Sequence, residues 1–266
     1  MTSPRAVPFS EGRIQLQRAA DVAADRIRER IVNGELADGE RLPPLELLLE
    51  EFGISGPSMR EALRMLESEG LITVQRGSVG GAIVHRPSYK AAAYTMALVL
   101  RSRDTEVADV AESLALLELT CALLCARRPD RKRTVVRDLR KLNKTAASLV
   151  DADELTFTEA MTAFHEELMR GCGLAALALA TRAVGAIWLV SVRQWAAENG
   201  AHGTFIDRDE RVAWLEKQAE LVTMIEAGDE AGVEQMMTEH FNTVQILGND
   251  LDPGQKVDAR AVRANR

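Results

Sequence analysis

Residues 39–84 read GERLPPLELLLEEFGISGPSMREALRMLESEGLITVQRGSVGGAIV, and the order of their punctuation decides the fold. A proline pair starts a short apolar helix in LPPLELLLEEFG, and Gly53 ends it, as a glycine just past a helix terminus commonly does. Ile54, Ser55 and Gly56 make a tight turn, after which Pro57 opens another helix at its first position. In PSMREALRMLESEG, Met59, Leu63 and Leu66 recur at i, i+4 and i+7 and face inward, while Ser58, Arg60 and Arg64 point elsewhere. LITVQRG and GGAIVH read as two strands joined by the turn Gly77-Ser78-Val79-Gly80-Gly81, with Ile72, Val74 and Ile83 as packing residues. Upstream, VAADRIRERIVNGEL carries Val22, Ile27 and Ile31 on an amphipathic helix that stops at Gly34. Helix, helix, tight turn, helix, hairpin is the order of a winged helix-turn-helix.

Working outward, the spacing predicts flexible tails at 1–14 and 251–266, where polar residues show no apolar period. The winged helix-turn-helix occupies 15–86, a linker and first connecting helix 87–103, and an all-helical domain for effector binding and dimerisation 104–250. From about 90 to 247 the pattern is helical in seven segments, broken at Pro129, at Gly171-Cys172-Gly173, between 199 and 203, and at Gly228-Asp229. No strand-like alternation lies between the breaks. The predicted fold is therefore mainly α: three helices and a β-hairpin wing, then an all-α bundle whose core rests on Leu, Ala, Val and Met, since aromatics are only 4%.

A chain of 266 residues with 46% hydrophobic content supplies two cores. Neither a run of about 18 apolar residues nor a signal-peptide core is present, which predicts a cytoplasmic protein without membrane contact. Cys121, Cys125 and Cys172 have no paired CxxC spacing and read as core residues. The net charge of −7 argues against DNA, and residues 1–86 hold eleven arginines against thirteen acidic residues. A local patch matters more than that sum. Ser55, Pro57, Ser58 and Arg60 cluster at the turn and the start of the third helix, the part that enters a major groove in such motifs, with Arg64 one turn on. Hydroxyls and a helix N-terminus suit phosphate, and arginine can meet a guanine edge with two hydrogen bonds. Arg76 and Gly77 at the wing tip would add a backbone or minor-groove contact. An ordinary solvated basic face is the competing reading, and motif order rather than charge decides against it.

The quoted stretch resembles the DNA-binding domain of the GntR family. The likeness is carried by Gly39, Leu42 and Pro43, by Gly53 to Ser55, by Arg60-Glu61-Ala62-Leu63 and by Glu69-Gly70-Leu71. The helical block is similar to the effector domain of the FadR subgroup, the FCD domain, through Phe164-His165, the Gly228-Asp229 break and His240. The resemblance implies a homodimer that binds operator DNA and answers to a carboxylate-type metabolite. Departures are specific. Leu45-Glu46 stand where relatives have an acid-arginine pair, and Gly56 where they have arginine. The family's four metal-ligand positions fall on Met161, His165, Gln218 and His240, and its carboxylate-binding arginine on Leu114. A thioether and an amide are poor ligands for a divalent ion, so a metal at His165 and His240 is disfavoured and no cofactor is assigned. An effector site formed by Leu114, Met161, His165, Arg193, Gln218 and His240 suits an apolar compound such as an acyl-CoA or another lipid-derived metabolite. Trp188, Trp195 and Trp214 flank that region and read mainly as core.

The function expected is thus a ligand-responsive repressor of a metabolic operon. An enzyme is not indicated: no Ser/His/Asp arrangement stands out by motif, and the glycines at 77–81 precede a strand rather than a helix. A winged helix serving as a protein-interaction module is the alternative, motivated by the missing arginines and the acidic balance.

Overall fold

The computed structural model describes residues 11–75, 81–199, 207–249 and 254–264. The chain divides into two compact units, Met1–Ser88 and Tyr89–Arg266.

In the first unit, α1 (Glu11–Val32), α2 (Leu45–Phe52) and α3 (Gly56–Ser68) precede β1 (Ile72–Gln75) and β2 (Gly81–Val84), which pair antiparallel. The core joins Ala20, Ala23, Ala24, Ile27 and Ile31 of α1 to Met59, Ala62 and Leu66 of α3 and to Ile72, Ala82 and Val84 of the strands. Val22, expected on the α1 stripe, is 53% exposed. Lying five residues before Ile27, it falls about 140° round the helix, and the small alanines take the stripe instead. Leu63 is only partly buried, and Ala62 fills the inner position. The strand faces also differ from expectation. Ile72 pairs with Val84 and Val74 with Ala82, whereas Ile83 opposes Thr73 on the other face. Side chains directly opposite share a face, so Ile83 could not pack beside Ile72. Val74 lies beyond the edge of the core at 38% exposure.

The segment around Gly39-Glu40-Arg41-Leu42 supplies a third, strand-like partner. The Leu42 amide donates to the Ala82 carbonyl at 2.8 Å and the Val84 amide to Glu40 at 2.8 Å. This pairing covers the free edge of β2 and gives the Gly-x-x-Leu-Pro stretch its structural purpose.

The second unit is a helical bundle: α4 (Tyr89–Ser102), α5 (Val107–Arg127), a π-helical turn (Lys132–Val136) running into α6 (Arg137–Ala147), α7 (Glu154–Gly171), α8 (Ala175–Asn199), α9 (Arg208–Ala227) and α10 (Glu230–Asn249). Its largest core cluster gathers the three cysteines with Phe164, Leu168, Leu221, Val222, Ile225 and Val233. Asp207 and Glu210 close a capping box at the start of α9, and Gly228 ends that helix at φ 75°, a left-handed conformation that favours glycine.

The expected tails need correction. At the front, α1 already begins at Glu11; residues 1–10 lie outside the described residues. At the rear, residues 254–264 are structured. Lys256 bridges Glu106, the Val107 amide donates to Gln255 at 2.9 Å, and α11 (Ala259–Ala264) brings Val257, Ala259 and Val262 into a cluster with Ala93, Ala97, Val110 and Ile187. Among the described residues of this segment, Val257, Ala259 and Val262 are the buried anchors with Ala261 partly buried beside them, a set too short to establish a period. It therefore leaves no periodic trace in the sequence.

Candidate DNA-binding surface and effector core

The turn at Ser55 is built as a helix start. Ser55 is the N-cap of α3 with extended backbone, its hydroxyl accepts from the Ser58 amide, and Pro57 occupies the second helical position behind Gly56 rather than the first. Ser55, Pro57 and Arg60 are exposed. Arg64 is exposed one turn on, 3.4 Å from Glu61, and α3 carries no acid in its first turn. Orphan amides and a positive helix end therefore coincide with two exposed arginines, of which Arg60 has no partner among the described residues and Arg64 is loosely paired, the arrangement an anionic backbone meets favourably. Ser58 is the exception among the residues singled out. It is 5% exposed, with its hydroxyl 3.0 Å from that of Ser55, so it braces the turn from inside instead of facing outward. Arg76 and Gly77 lie outside the described residues.

Gly56 has room for a side chain. The nearest atoms a β-carbon there would meet are those of the Arg60 guanidinium, from 3.4 Å, which is the mobile end of a long side chain. Gly56→Arg is expected to tighten operator binding and steepen the slope of log K against log salt by about 1. Anisotropy titrations across a salt series check this, and an unchanged slope would remove Gly56 from the contact surface.

In the second unit, α7 sets His165 toward α5, where Nδ1 lies 3.3 Å from a Glu118 carboxylate oxygen. Both groups are largely enclosed. Burial acts to lower the His165 pKa, but the attraction and hydrogen bond of Glu118 outweigh it and hold it above the ordinary value. The sequence reading passed over Glu118, although it lies one helical turn beyond Leu114 on α5. A group whose folded pKa is raised adds stability that is complete below its unfolded pKa, about 6.5, and fades as pH rises through the folded value. Glu118→Gln is therefore expected to flatten the fall in melting temperature of this unit between pH 6 and 8. Thermal melts of both proteins over that range test it.

The remaining predicted effector residues are distributed over the bundle. Leu114 is buried and approaches α8 at Gly185. Met161 packs in one cluster with Ala146, Phe157 and Leu215, against which Trp214 lies. Gln218 is buried on α9 and is bonded to Asn143 of α6. Arg193 is partly buried on α8, beyond Trp188, which packs in a different cluster. The side chains of Trp195 and His240 lie outside the described residues. Among the described residues, no group of three or more His, Cys, Asp or Glu side chains is placed to hold a metal ion. Met161 and Gln218, where the family places ligands, present a thioether in an apolar cluster and an amide bonded to its neighbour. The residues therefore do not fit a divalent metal.

Sequence reading also missed Asn143, Glu166 and Arg211. Glu166 accepts from the Tyr89 hydroxyl at 2.6 Å and pairs with Arg182 at 3.3 Å. Arg211, 7% exposed, donates to the Val150 and Ala152 carbonyls and stacks over Phe157. Isolated polar residues on helix faces carry no motif, so nothing in the sequence singled these out. Cys121, Cys125 and Cys172 are buried, and burial pushes the Cys121 thiol up to about 12, which keeps it protonated and inert. Among the described residues, no helix is long and apolar enough to cross a membrane.

Comparison with known proteins places both units. Residues 19–80 match the family described as bacterial regulatory proteins, gntR family, and residues 109–243, just over half of the chain, match the FCD domain. A putative HTH-type transcriptional regulator RmpR of Mycobacterium gastri is 33% identical over 151 residues, 56% of this chain and 53% of that protein, so the match spans about half the relative's length. HTH-type transcriptional regulator LutR of Bacillus subtilis is 25% identical over 81% of this chain and 94% of its own. A solved Streptococcus agalactiae GntR structure shares the fold at a TM-score of 0.55 and 21% identity, covering 85% of this chain and 98% of that one. These matches are to regulators rather than enzymes. The chain belongs to the FCD-domain family and carries, ahead of that domain, the DNA-binding domain of the gntR family of bacterial regulatory proteins.

Proposed function

We propose that the protein is a ligand-responsive transcriptional repressor of the FadR type, which binds a palindromic operator as a homodimer and controls a metabolic operon from the cytoplasm. The observation that carries this reading is the start of α3. Ser55 caps it, no acid opposes its dipole, and Arg60 and Arg64 project from the exposed face that such motifs lay in a major groove. A single winged helix reads only a few base pairs, so specific affinity requires two copies on two half-sites.

The C-terminal bundle is the sensing half. Its inner face around Leu114, Met161, His165, Arg193 and Gln218, with His240 included by resemblance, takes an apolar metabolite of the acyl-CoA kind without a metal ion. The apolar packing around Met161 and the committed amide of Gln218 support this. Gel shifts against the DNA upstream of the protein's own gene, combined with native mass spectrometry, test the proposal. A dimer that shifts a palindrome at nanomolar concentration is expected; a strict monomer, or binding equal to that of a scrambled duplex, would overturn it in favour of a protein-interaction module.

A further inference from the structure

Gln218, 6% exposed, uses its amide at one end only. Asn143 donates from Nδ2 to the Leu215 carbonyl at 2.9 Å and to Gln218 Oε1 at 3.3 Å. Gln218 Nε2 is buried and has no hydrogen-bond partner among the described residues. The two ends of an amide are distinguished by the network around them, and here a donor on Asn143 claims the oxygen end. What remains is a buried N–H pair with nothing to bond, which proteins rarely tolerate unless a ligand or water completes it.

The neighbouring chemistry narrows the occupant. Met161 and Phe157 of α7 and Ala146 of α6 form an apolar cluster with Leu215, which lies about one turn before Gln218 on α9. A cation is poorly served there: Oε1 already accepts from Asn143, Nε2 has no lone pair to give, and the Met161 thioether is a poor ligand. An oxygen acceptor carried on an apolar group meets all of these features, since it accepts from Nε2 while its hydrocarbon lies against the cluster.

We infer that Asn143 locks Gln218 as a hydrogen-bond donor, so that this core binds its ligand through a carbonyl or carboxylate oxygen on an apolar chain and does so without a metal ion. The inference rests on the reading above that Met161 and Gln218 line the effector site. Asn143 is the positioning residue and Gln218 the binding residue.

The test uses the full-length chain and two probes, octanoate and methyl octanoate, which carry the acceptor with and without charge. Calorimetry is expected to show one probe molecule per chain, unaffected by EDTA. Gln218→Glu puts a carboxylate where the donor was. Asn143→Asp accepts from Nε2 and turns Oε1 inward. Each is expected to weaken binding at least tenfold, and circular dichroism melts identify variants that remain folded. Binding that vanishes with EDTA, binding unchanged in both folded variants, or no binding of either probe overturns the inference. A separate arm titrates Zn2+. The wild type is expected to bind none, and one tight ion per wild-type chain overturns the inference while leaving the shared site intact. The double variant Met161→Asp, Gln218→His is expected to bind one ion per chain. If that variant is folded and binds none, the underlying reading that these positions share a site fails instead.

Discussion

Arg60→Ala is expected to cost about 1–3 kcal/mol per half-site, and so about 2–6 kcal/mol for a dimer on a palindrome, if the guanidinium reads a base edge. Arg60 is exposed at the fifth position after the Ser55 cap, whereas Ser58 is turned into the core and cannot take its place. The substitution removes an exposed side chain from a helix whose inner face is held by Met59, Ala62 and Leu66, and it should change stability by no more than about 0.5 kcal/mol. Loss of binding can then be separated from loss of fold. Arg64→Ala is the comparison: held 3.4 Å from Glu61, it should lose less affinity and lose it evenly across sequences, as a phosphate contact does. Anisotropy with the operator and with a scrambled duplex distinguishes the two. If Arg60→Ala weakens both duplexes equally, Arg60 meets phosphate and the base reading must come from another residue.

The parts of this molecule that were legible in sequence are those written by punctuation. Gly53, Pro57, Gly70 and Gly228 fall where helices end or begin, and the tight turn at Ser55 follows from them. Faces were harder. Val22 was placed inside because it is large and apolar, yet the α1 stripe is built on Ala20, Ala23 and Ala24, whose small size permits close approach to α3. Ile72, Val74 and Ile83 all read as packing residues, yet Ile83 opposes Thr73 on the other face from Ile72, because strand register depends on the turn joining β1 to β2, which sequence alone does not specify.

The effector core was the least legible. His165 was visible as a chemically distinctive residue, but its partner Glu118 looked like one acid among forty. Asn143 and Gln218 lie 75 positions apart, and only the packing of α6 on α9 brings them together. Long-range polar pairs of this kind leave no local pattern, whereas the departures at Met161 and Gln218 did register, because a family's ligand positions had been replaced by side chains that ligate poorly.

Phe164→Ala is expected to destabilise the second unit by about 3–5 kcal/mol, the range found when a fully enclosed phenylalanine is truncated. Phe164 is 0% exposed and lies in the cluster that holds Leu168, Leu221, Val222 and Ile225 together, so the lost ring leaves a cavity bounded by several helices that cannot all relax inward. The ring also stands edge-on to His165, 5.9 Å between centroids, and its removal frees the imidazole that Glu118 holds. The chain itself provides the measurement. All three tryptophans, Trp188, Trp195 and Trp214, belong to the unit Tyr89–Arg266, so tryptophan fluorescence during urea unfolding reports that unit alone. The fluorescence midpoint should fall sharply, while the first unit, whose core contains none of these residues, keeps its helical signal by circular dichroism to a higher urea concentration. A fluorescence transition that moves by less than about 1 kcal/mol would mean that the Phe164 site collapses around the smaller side chain, and that the bundle core is softer than its burial implies.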